Sequence, residues 1–98
     1  MILLDTNVVS EMMKPEPAAR VVSWMEREPA SSLYVTSITQ AEIMHGVMLL
    51  PQGRRRGRPI AAFEAQIAAI ARAAGATLAT RNITDFDHCA IRVVNPWK

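Results

Sequence analysis

The chain has 98 residues, half of them hydrophobic and a fifth of them charged, with a formal net charge of +2. These values exclude a disordered chain, which would combine low hydrophobicity with high net charge, and the length allows one domain, residues 1–98, with a single core. The apolar stretches are too short to span a bilayer and the start lacks the features of a signal peptide, so we expect a soluble, cytoplasmic protein.

Four short segments are typical of buried parallel strands, because they are too short and too apolar for an exposed antiparallel ribbon. They cover residues 2–4, 33–36, 77–80 and 91–94. Helical patterns occupy residues 8–13, 18–28, 39–50 and a last segment from 59 or 60 to 74. Pro29 ends the second helix, and Gly75 takes the position after the fourth helix that favours glycine. This alternation predicts a three-layer α/β/α fold with a short parallel sheet.

The third and fourth helices follow one another without a strand between them. The joint, residues 52–58, carries a cluster of basic side chains, Arg54, Arg55, Arg56 and Arg58. This cluster creates a local positive field that could attract phosphates. A solvated, flexible loop is the alternative interpretation of the same residues.

Two aspartates follow strand-like segments. Asp5 ends the opening apolar run, and Asp85 lies in the polar loop after the third strand. Ligands bind outside the carboxyl ends of parallel strands, so we expect both side chains near such a crevice. For Asp85, a turn or N-cap role is the alternative.

Two glutamates complete the candidate acidic site. Glu64 falls at the edge of the apolar arc of the fourth helix, where a carboxylate is costly unless it is paired or binds a cation. Glu42 follows Thr39 by three residues, which is the spacing of a helix capping box. A capping role and a metal-binding role for Glu42 both stay open on this evidence.

Asp5, Glu42, Glu64 and Asp85 together indicate a metal site made of oxygen donors. Four carboxylates without accompanying cysteines favour Mg²⁺ or Mn²⁺ over zinc. Such a cation can activate water and stabilise an in-line phosphoryl displacement.

Five segments of the chain resemble PIN-domain ribonucleases, and the likeness is greatest to VapC-type toxins of bacterial toxin–antitoxin pairs. The segments are residues 1–7 (MILLDTN), 37–42 (SITQAE), 57–69, 79–86 and 94–97. The resemblance implies that Asp5, Glu42 and Asp85 bind the metal, with Thr6 and Asn7 beside the first of them. It also implies Mg²⁺- or Mn²⁺-dependent cleavage of RNA and inhibition by a cognate antitoxin.

The chain departs from the family pattern at two places. Glu64 stands where the family typically has an aspartate, which has one methylene fewer. Family members also usually carry a strand and a further helix between the counterparts of Arg56 and Gly57. We therefore expect an internally truncated PIN-like domain, with the deletion at about residues 52–58.

The sequence thus predicts a metal-dependent ribonuclease in which Asp5, Glu42, Glu64 and Asp85 are both catalytic and metal-binding. Residues expected to orient substrate or water are Thr6, Asn7, Arg81 and Asn82. A homodimer or an antitoxin-bound complex is the expected stable species, because a deleted strand would leave a sheet edge unpaired. Two alternatives remain: a catalytically impaired module that binds an antitoxin or other partner, and a phosphate-binding domain whose acids only cap helices.

Overall fold

The computed structural model of the chain describes residues 1–44 and 58–98. Its strands are β1 (Ile2–Leu4), β2 (Leu33–Tyr34), β3 (Thr77–Ala79) and β4 (Arg92–Val94). Its α-helices are α1 (Thr6–Met12), α2 (Ala19–Arg27), α3 (Ser37–Met44) and α4 (Arg58–Ala74). Short 3₁₀ helices span Ala30–Ser32 and Ile83–Phe86. In these described ranges no helix is both long and apolar enough to cross a membrane.

The four strands form one parallel sheet in the order β2-β1-β3-β4. All four strands lie where the sequence predicts them, with ends that differ by no more than two residues. The register pairs Leu3 with Leu78 and Leu4 with Ala79. The two central strands, β1 and β3, therefore end side by side, and the residues that follow them meet at one edge of the sheet.

The two faces of the sheet are covered by different helices, which confirms the predicted three-layer arrangement. On one face, a core cluster joins the sheet to α4 and to the second 3₁₀ helix; it contains Leu3, Ile67, Ala68, Ala71, Ala76, Leu78 and Phe86. On the other face, a second cluster joins the sheet to α1 and α2; it contains Leu4, Val8, Val21 and Ala79. Since Leu3 and Leu4 point to opposite faces, the alternation along each strand separates the two clusters.

α4 ends where the sequence predicts, and the reason is the backbone conformation of Gly75. Gly75 has a φ of +64°, in the left-handed region that glycine adopts without steric cost. The amide of Ala76 donates to the carbonyl of Ala71 at 2.9 Å, and the amide of Gly75 donates to that of Arg72 at 3.2 Å. These two bonds form a Schellman motif, which satisfies the last carbonyls of the helix.

α3 begins two residues earlier than predicted, because its N-cap is Thr36 and not Thr39. The hydroxyl oxygen of Thr36 accepts a hydrogen bond from the backbone amide of Thr39 at 3.1 Å, and Thr39 is itself fully buried. The capping box predicted from Thr39 to Glu42 is therefore wrong. Glu42 lies in the second turn of the helix, too far along to bond the N-cap amide.

Glu11 connects α1 to α2 and is buried, with 7% of its surface exposed. Its Oε2 accepts from the backbone amide of Ala18 at 2.8 Å, and its Oε1 accepts from Nζ of Lys14 at 2.9 Å. The Lys14 hydrogen bond is the main cause that lowers the pKa of Glu11 below 4.5, and the Ala18 amide adds to it. The start of α2 is thus held by a carboxylate from the helix before it.

Candidate active site

Asp5 lies immediately after β1 and caps the N-terminus of α1. Its side chain is buried, with 5% of the residue surface exposed. Its backbone amide donates to the carbonyl of Ala79 at 2.9 Å, which extends the pairing of β1 with β3 by one residue. The sequence therefore places Asp5 correctly at the carboxyl edge of the sheet.

Both carboxylate oxygens of Asp5 accept hydrogen bonds that fix the orientation of the group. Oδ1 accepts from the backbone amide of Thr6 at 2.8 Å. Oδ2 accepts from the hydroxyl of Thr80 at 2.7 Å and from Nδ2 of Asn7 at 3.4 Å. Because the donors come from both α1 and the segment after β3, the carboxylate is held between two elements distant in the sequence.

Thr80 is the residue of this network that the sequence reasoning missed. It is fully buried, and its hydroxyl donates to Asp5 while accepting from Nδ2 of Asn7 and from the backbone amide of Asn82, both at 3.1 Å. One donor and two lone pairs are all that a hydroxyl offers, so these bonds use its full capacity. The available signal was a threonine at the end of an apolar strand, in the same kind of position as Asp5.

Asn7 joins the start of α1 to the loop after β3. Its amide nitrogen donates to Asp5 and Thr80, and its Oδ1 accepts from the backbone amide of Arg81 at 3.1 Å. The amide thus uses both its donor and its acceptor sides in one closed network. We refer to the side chains of Asp5, Asn7 and Thr80 as the Asp5 network.

The other predicted acids lie on separate elements. Asp85 is on the 3₁₀ helix Ile83–Phe86, where its side chain is exposed while Phe86 packs into the core. Glu64 is half-buried in the second turn of α4. Glu42 is on α3, and its side chain lies outside the described residues. Across the part of the chain that is described, no three His, Cys, Asp or Glu side chains form a metal-binding group.

The predicted orienting residues are placed as follows. Thr6 is buried, with 2% of its surface exposed, and Asn82 is exposed while its amide bonds Thr80. Arg81 is exposed, and its guanidinium lies 5.0 Å from the centroid of the Trp97 ring. Of the basic cluster at the joint, Arg54, Arg55 and Arg56 lie outside the described residues, as does the side chain of Arg58.

The protein belongs to the class of α/β domains that have an acidic site at the edge of the sheet. Its parallel sheet has helices on both faces and an acid fixed at the carboxyl ends of the central strands. The sequence model of the PIN domain family matches residues 2–66, which is more than half of the chain. The chain belongs to the PIN domain family.

Three relatives resemble the chain over nearly their whole length. Plasmid stability protein StbB of Pseudomonas syringae pv. tomato is 32% identical, over all of this chain and 99% of StbB. VapC ribonuclease Y4jK of Sinorhizobium fredii is 29% identical, over all of this chain and 99% of Y4jK. Toxin FitB of Neisseria gonorrhoeae is 31% identical, over 99% of each chain. The alignments with StbB and Y4jK each span 138 positions, whereas this chain has 98 residues.

A solved structure shows the same fold. A chain in the structure of FitAB bound to an IR36 DNA fragment superposes on this protein with a TM-score of 0.80 at 31% sequence identity. The match covers all of this chain and 96% of the other. The three-layer architecture described above is therefore that of a known PIN domain family structure.

Proposed function

We propose that this protein is a metal-dependent endoribonuclease that serves as the toxin of a toxin–antitoxin pair. The observation that carries the proposal is the buried Asp5 carboxylate, fixed at the adjacent ends of β1 and β3 by Thr80 and Asn7. Membership of the PIN domain family supports it, as do relatives whose names are VapC ribonuclease and Toxin FitB. An acid held this firmly is preorganised for a task at the sheet edge.

The ion in this proposal is Mg²⁺ or Mn²⁺. Asp5 would bind it at the sheet edge, and Glu42, Glu64 and Asp85, which the described part of the chain does not gather into one group with Asp5, are the candidates for its other ligands. The donor chemistry fits, since carboxylate oxygens are the ligands that these hard cations prefer. The fixed orientation of Asp5 fits as well, because hydrogen-bonded carboxylates are typical partners of a bound metal. When bound, the ion supplies activation of water and stabilisation of the negative charge that develops on the phosphate.

The chain's own residues position the substrate and the acid. Thr80, Asn7 and the Thr6 amide hold the Asp5 carboxylate in one orientation.

Substrate binding falls to the loop after β3 and to the basic cluster. Arg81, exposed beside the Asp5 network, contacts a substrate phosphate, and Asn82 orients substrate or water from the same loop. The basic cluster Arg54, Arg55, Arg56 and Arg58 adds electrostatic attraction for the RNA backbone, which contributes affinity without reading sequence.

The macromolecular partners in this proposal are an RNA substrate, a cognate antitoxin and a second copy of the chain. Similarity to Toxin FitB and to a chain in the structure of FitAB bound to an IR36 DNA fragment supports an antitoxin as one partner. Exposed apolar side chains favour a protein partner too: Met44 is 84% exposed, Tyr34 on the edge strand β2 is 45% exposed, and Val35 directly after this strand is 41% exposed. An edge strand with apolar neighbours is a surface on which other chains dock.

A second candidate function is a partner-binding module that no longer cleaves RNA. The observation that favours it is the alignment length, 138 positions against 98 residues. We attribute the difference to a deletion at the joint near residues 52–58, which removes a strand and its helix from the ancestral domain. The central strands β1 and β3, and the Asp5 network that follows them, lie outside this joint.

The test is an assay of RNA cleavage by the purified wild-type protein. Cleavage that requires Mg²⁺ or Mn²⁺ and stops with EDTA supports the ribonuclease. A folded wild-type protein that binds an antitoxin but leaves RNA intact with either ion contradicts the ribonuclease and supports the binding module.

A further inference from the structure

Arg81 and Trp97 form a cation–π pair next to the Asp5 network. The guanidinium carbon lies 5.0 Å from the centroid of the indole ring, which is the geometry of a cation–π contact. Arg81 is exposed, whereas the ring of Trp97 is half-buried. The ring of Trp97 is therefore the fixed member of the pair, and the guanidinium of Arg81 is the member that faces solvent.

The backbone of Arg81 is tied to the Asp5 network directly. Its amide donates to Oδ1 of Asn7 at 3.1 Å, and Nδ2 of the same side chain donates to Asp5. Its charge also reaches α1: the Lys14 hydrogen bond is the main cause that lowers the pKa of Glu11, and Arg81 adds a smaller effect. Glu11 lies in the last turn of α1, so the guanidinium lies toward that end of the helix, while the backbone of Arg81 is tied to Asn7 at the start of the helix.

Trp97 is held in place by contacts of both its ring and its backbone. Its ring packs against the second core cluster, and its backbone amide donates to Oδ1 of Asn95 at 2.9 Å. The amide of Lys98 donates to the carbonyl of Asn95 at 3.1 Å, and Pro96 is buried. This turn follows β4, the neighbour of β3, so a rigid aromatic surface stands beside the loop that carries Arg81.

We propose that Trp97 is a positioning residue that holds the Arg81 guanidinium in place at the loop after β3, which is tied to the Asp5 network, so that Arg81 binds a phosphate of single-stranded RNA. A guanidinium held over a ring by a cation–π contact still has N–H groups free to donate, and such groups can match two phosphate oxygens at once. An arginine without this support samples many rotamers and loses more entropy on binding. The inference rests on the proposed function for the identity of the substrate.

The experiment measures binding of a fluorescein-labelled single-stranded RNA by anisotropy, in EDTA so that no cleavage occurs. We expect R81Q and W97L each to weaken binding about tenfold, the loss of one charge-assisted contact. W97F keeps an aromatic surface and restores binding to within about twofold of the wild type. R72Q, which removes an exposed arginine from the last turn of α4, serves as the control for a general loss of charge.

The double variant R81Q/W97L decides how Trp97 acts. If Trp97 acts through Arg81, the double variant binds no more weakly than R81Q. An added loss in the double variant overturns the proposal, because Trp97 would then stack on a base itself or support the fold in general. R81Q leaves the ring in place, so its result stands even if W97L unfolds in a thermal melt. R81Q should also reduce the slope of log binding constant against log salt by about 0.7, the value for one phosphate contact on a single strand.

Two other results overturn the proposal: R81Q binding as tightly as the wild type, and absence of RNA binding by the wild type. The cleavage assay with Mg²⁺ or Mn²⁺ is read separately. Arg81-dependent binding without cleavage refutes the ribonuclease and leaves the Arg81–Trp97 inference standing. If the wild type cleaves RNA while R81Q and W97L bind RNA as tightly as the wild type, the ribonuclease is supported and the Arg81–Trp97 inference is refuted.

Discussion

The hydroxyl of Thr80 donates a 2.7 Å hydrogen bond to Oδ2 of Asp5, although 75 positions separate the two residues in the sequence. The bond exists because β1 and β3 are parallel neighbours that end in register, with Leu4 opposite Ala79. The residue after one central strand thereby orients the acid after the other. In the proposed enzyme, this makes Thr80 as much a part of the active site as the orienting residues next to Asp5 in sequence.

Replacing Thr80 by valine tests that relationship. Valine matches the shape of threonine but leaves Asn7, the Asn82 amide and Asp5 without their shared partner, which should lower stability by about 1–3 kcal/mol. Loss of a residue that orients a metal ligand should reduce cleavage about 10- to 100-fold. Thr80→Ser keeps the hydroxyl and is the matched control. Equal cleavage rates for the valine and serine variants would show that the hydroxyl has no role in catalysis.

Shortening the Glu64 side chain by one methylene tests whether Glu64 is a metal ligand. The resemblance to the family implies an aspartate at this position, so Glu64→Asp should preserve or raise metal-dependent cleavage. Glu64→Gln removes the charge at nearly constant size and should reduce it, since an amide is a weaker ligand for Mg²⁺ or Mn²⁺ than a carboxylate. The measurement is the cleavage rate as a function of Mn²⁺ concentration. The role as a metal ligand is refuted if the glutamine variant titrates with Mn²⁺ like the wild type.

Glu11 predicts a pH dependence of stability. Its pKa is lowered in the folded protein, chiefly by the Lys14 hydrogen bond, so the unfolded chain takes up a proton first on acidification. The stabilisation is fully present above the ordinary value of 4.5 and is lost as the pH falls through the lowered pKa of the folded state. Urea unfolding between neutral and acidic pH should therefore show a steeper acid loss for the wild type than for Glu11→Gln. Glu16→Gln, at an exposed position, is the control, and parallel pH profiles for wild type and Glu11→Gln would contradict the account.

The exposed apolar edge predicts self-association. Tyr34 lies on the edge strand β2 and Val35 directly follows it, and a domain of 98 residues has little core to spare, so we expect a homodimer or an antitoxin complex as the stable species. Size-exclusion chromatography with light scattering over a wide concentration range should show a dimer that Tyr34→Lys shifts toward monomer. Arg92→Glu, on the opposite edge strand β4, is the matched control. A cooperative, well-folded wild-type monomer at micromolar concentration would contradict this prediction.

The sequence predicts the architecture because its signals are local. Apolar runs ending at Asp5 and Thr80 predict two strands, and Pro29 and Gly75 predict the ends of two helices. The starts of α1 and α3 are two residues earlier than predicted, since Asp5 and Thr36 act as N-caps and include the following polar residues in the helix. A capping residue takes its role from backbone geometry, which hydrophobic periodicity does not encode.

The candidate site is only partly predictable from the sequence, because several of its contacts join residues that are distant along the chain. Asp5 is identified by its position after a strand, and Asn7 by its proximity to Asp5. The hydrogen bond between Asp5 and Thr80 depends on which strands are neighbours, and the cation–π contact of Arg81 with Trp97 depends on where β4 lies. Strand order is a long-range property, so no pattern within either segment reports these contacts.

The most direct test of the central claim is the RNA cleavage rate of Asp5→Asn in Mg²⁺ or Mn²⁺, compared with the wild type and with Asp87→Asn. Asparagine is nearly isosteric with aspartate but uncharged, and Asp87 is an exposed acid outside the Asp5 network. We predict that cleavage falls by orders of magnitude in Asp5→Asn and is unchanged in Asp87→Asn, because Asp5 holds the ion in the proposed site. Cleavage by Asp5→Asn at the wild-type rate would contradict a site built on Asp5.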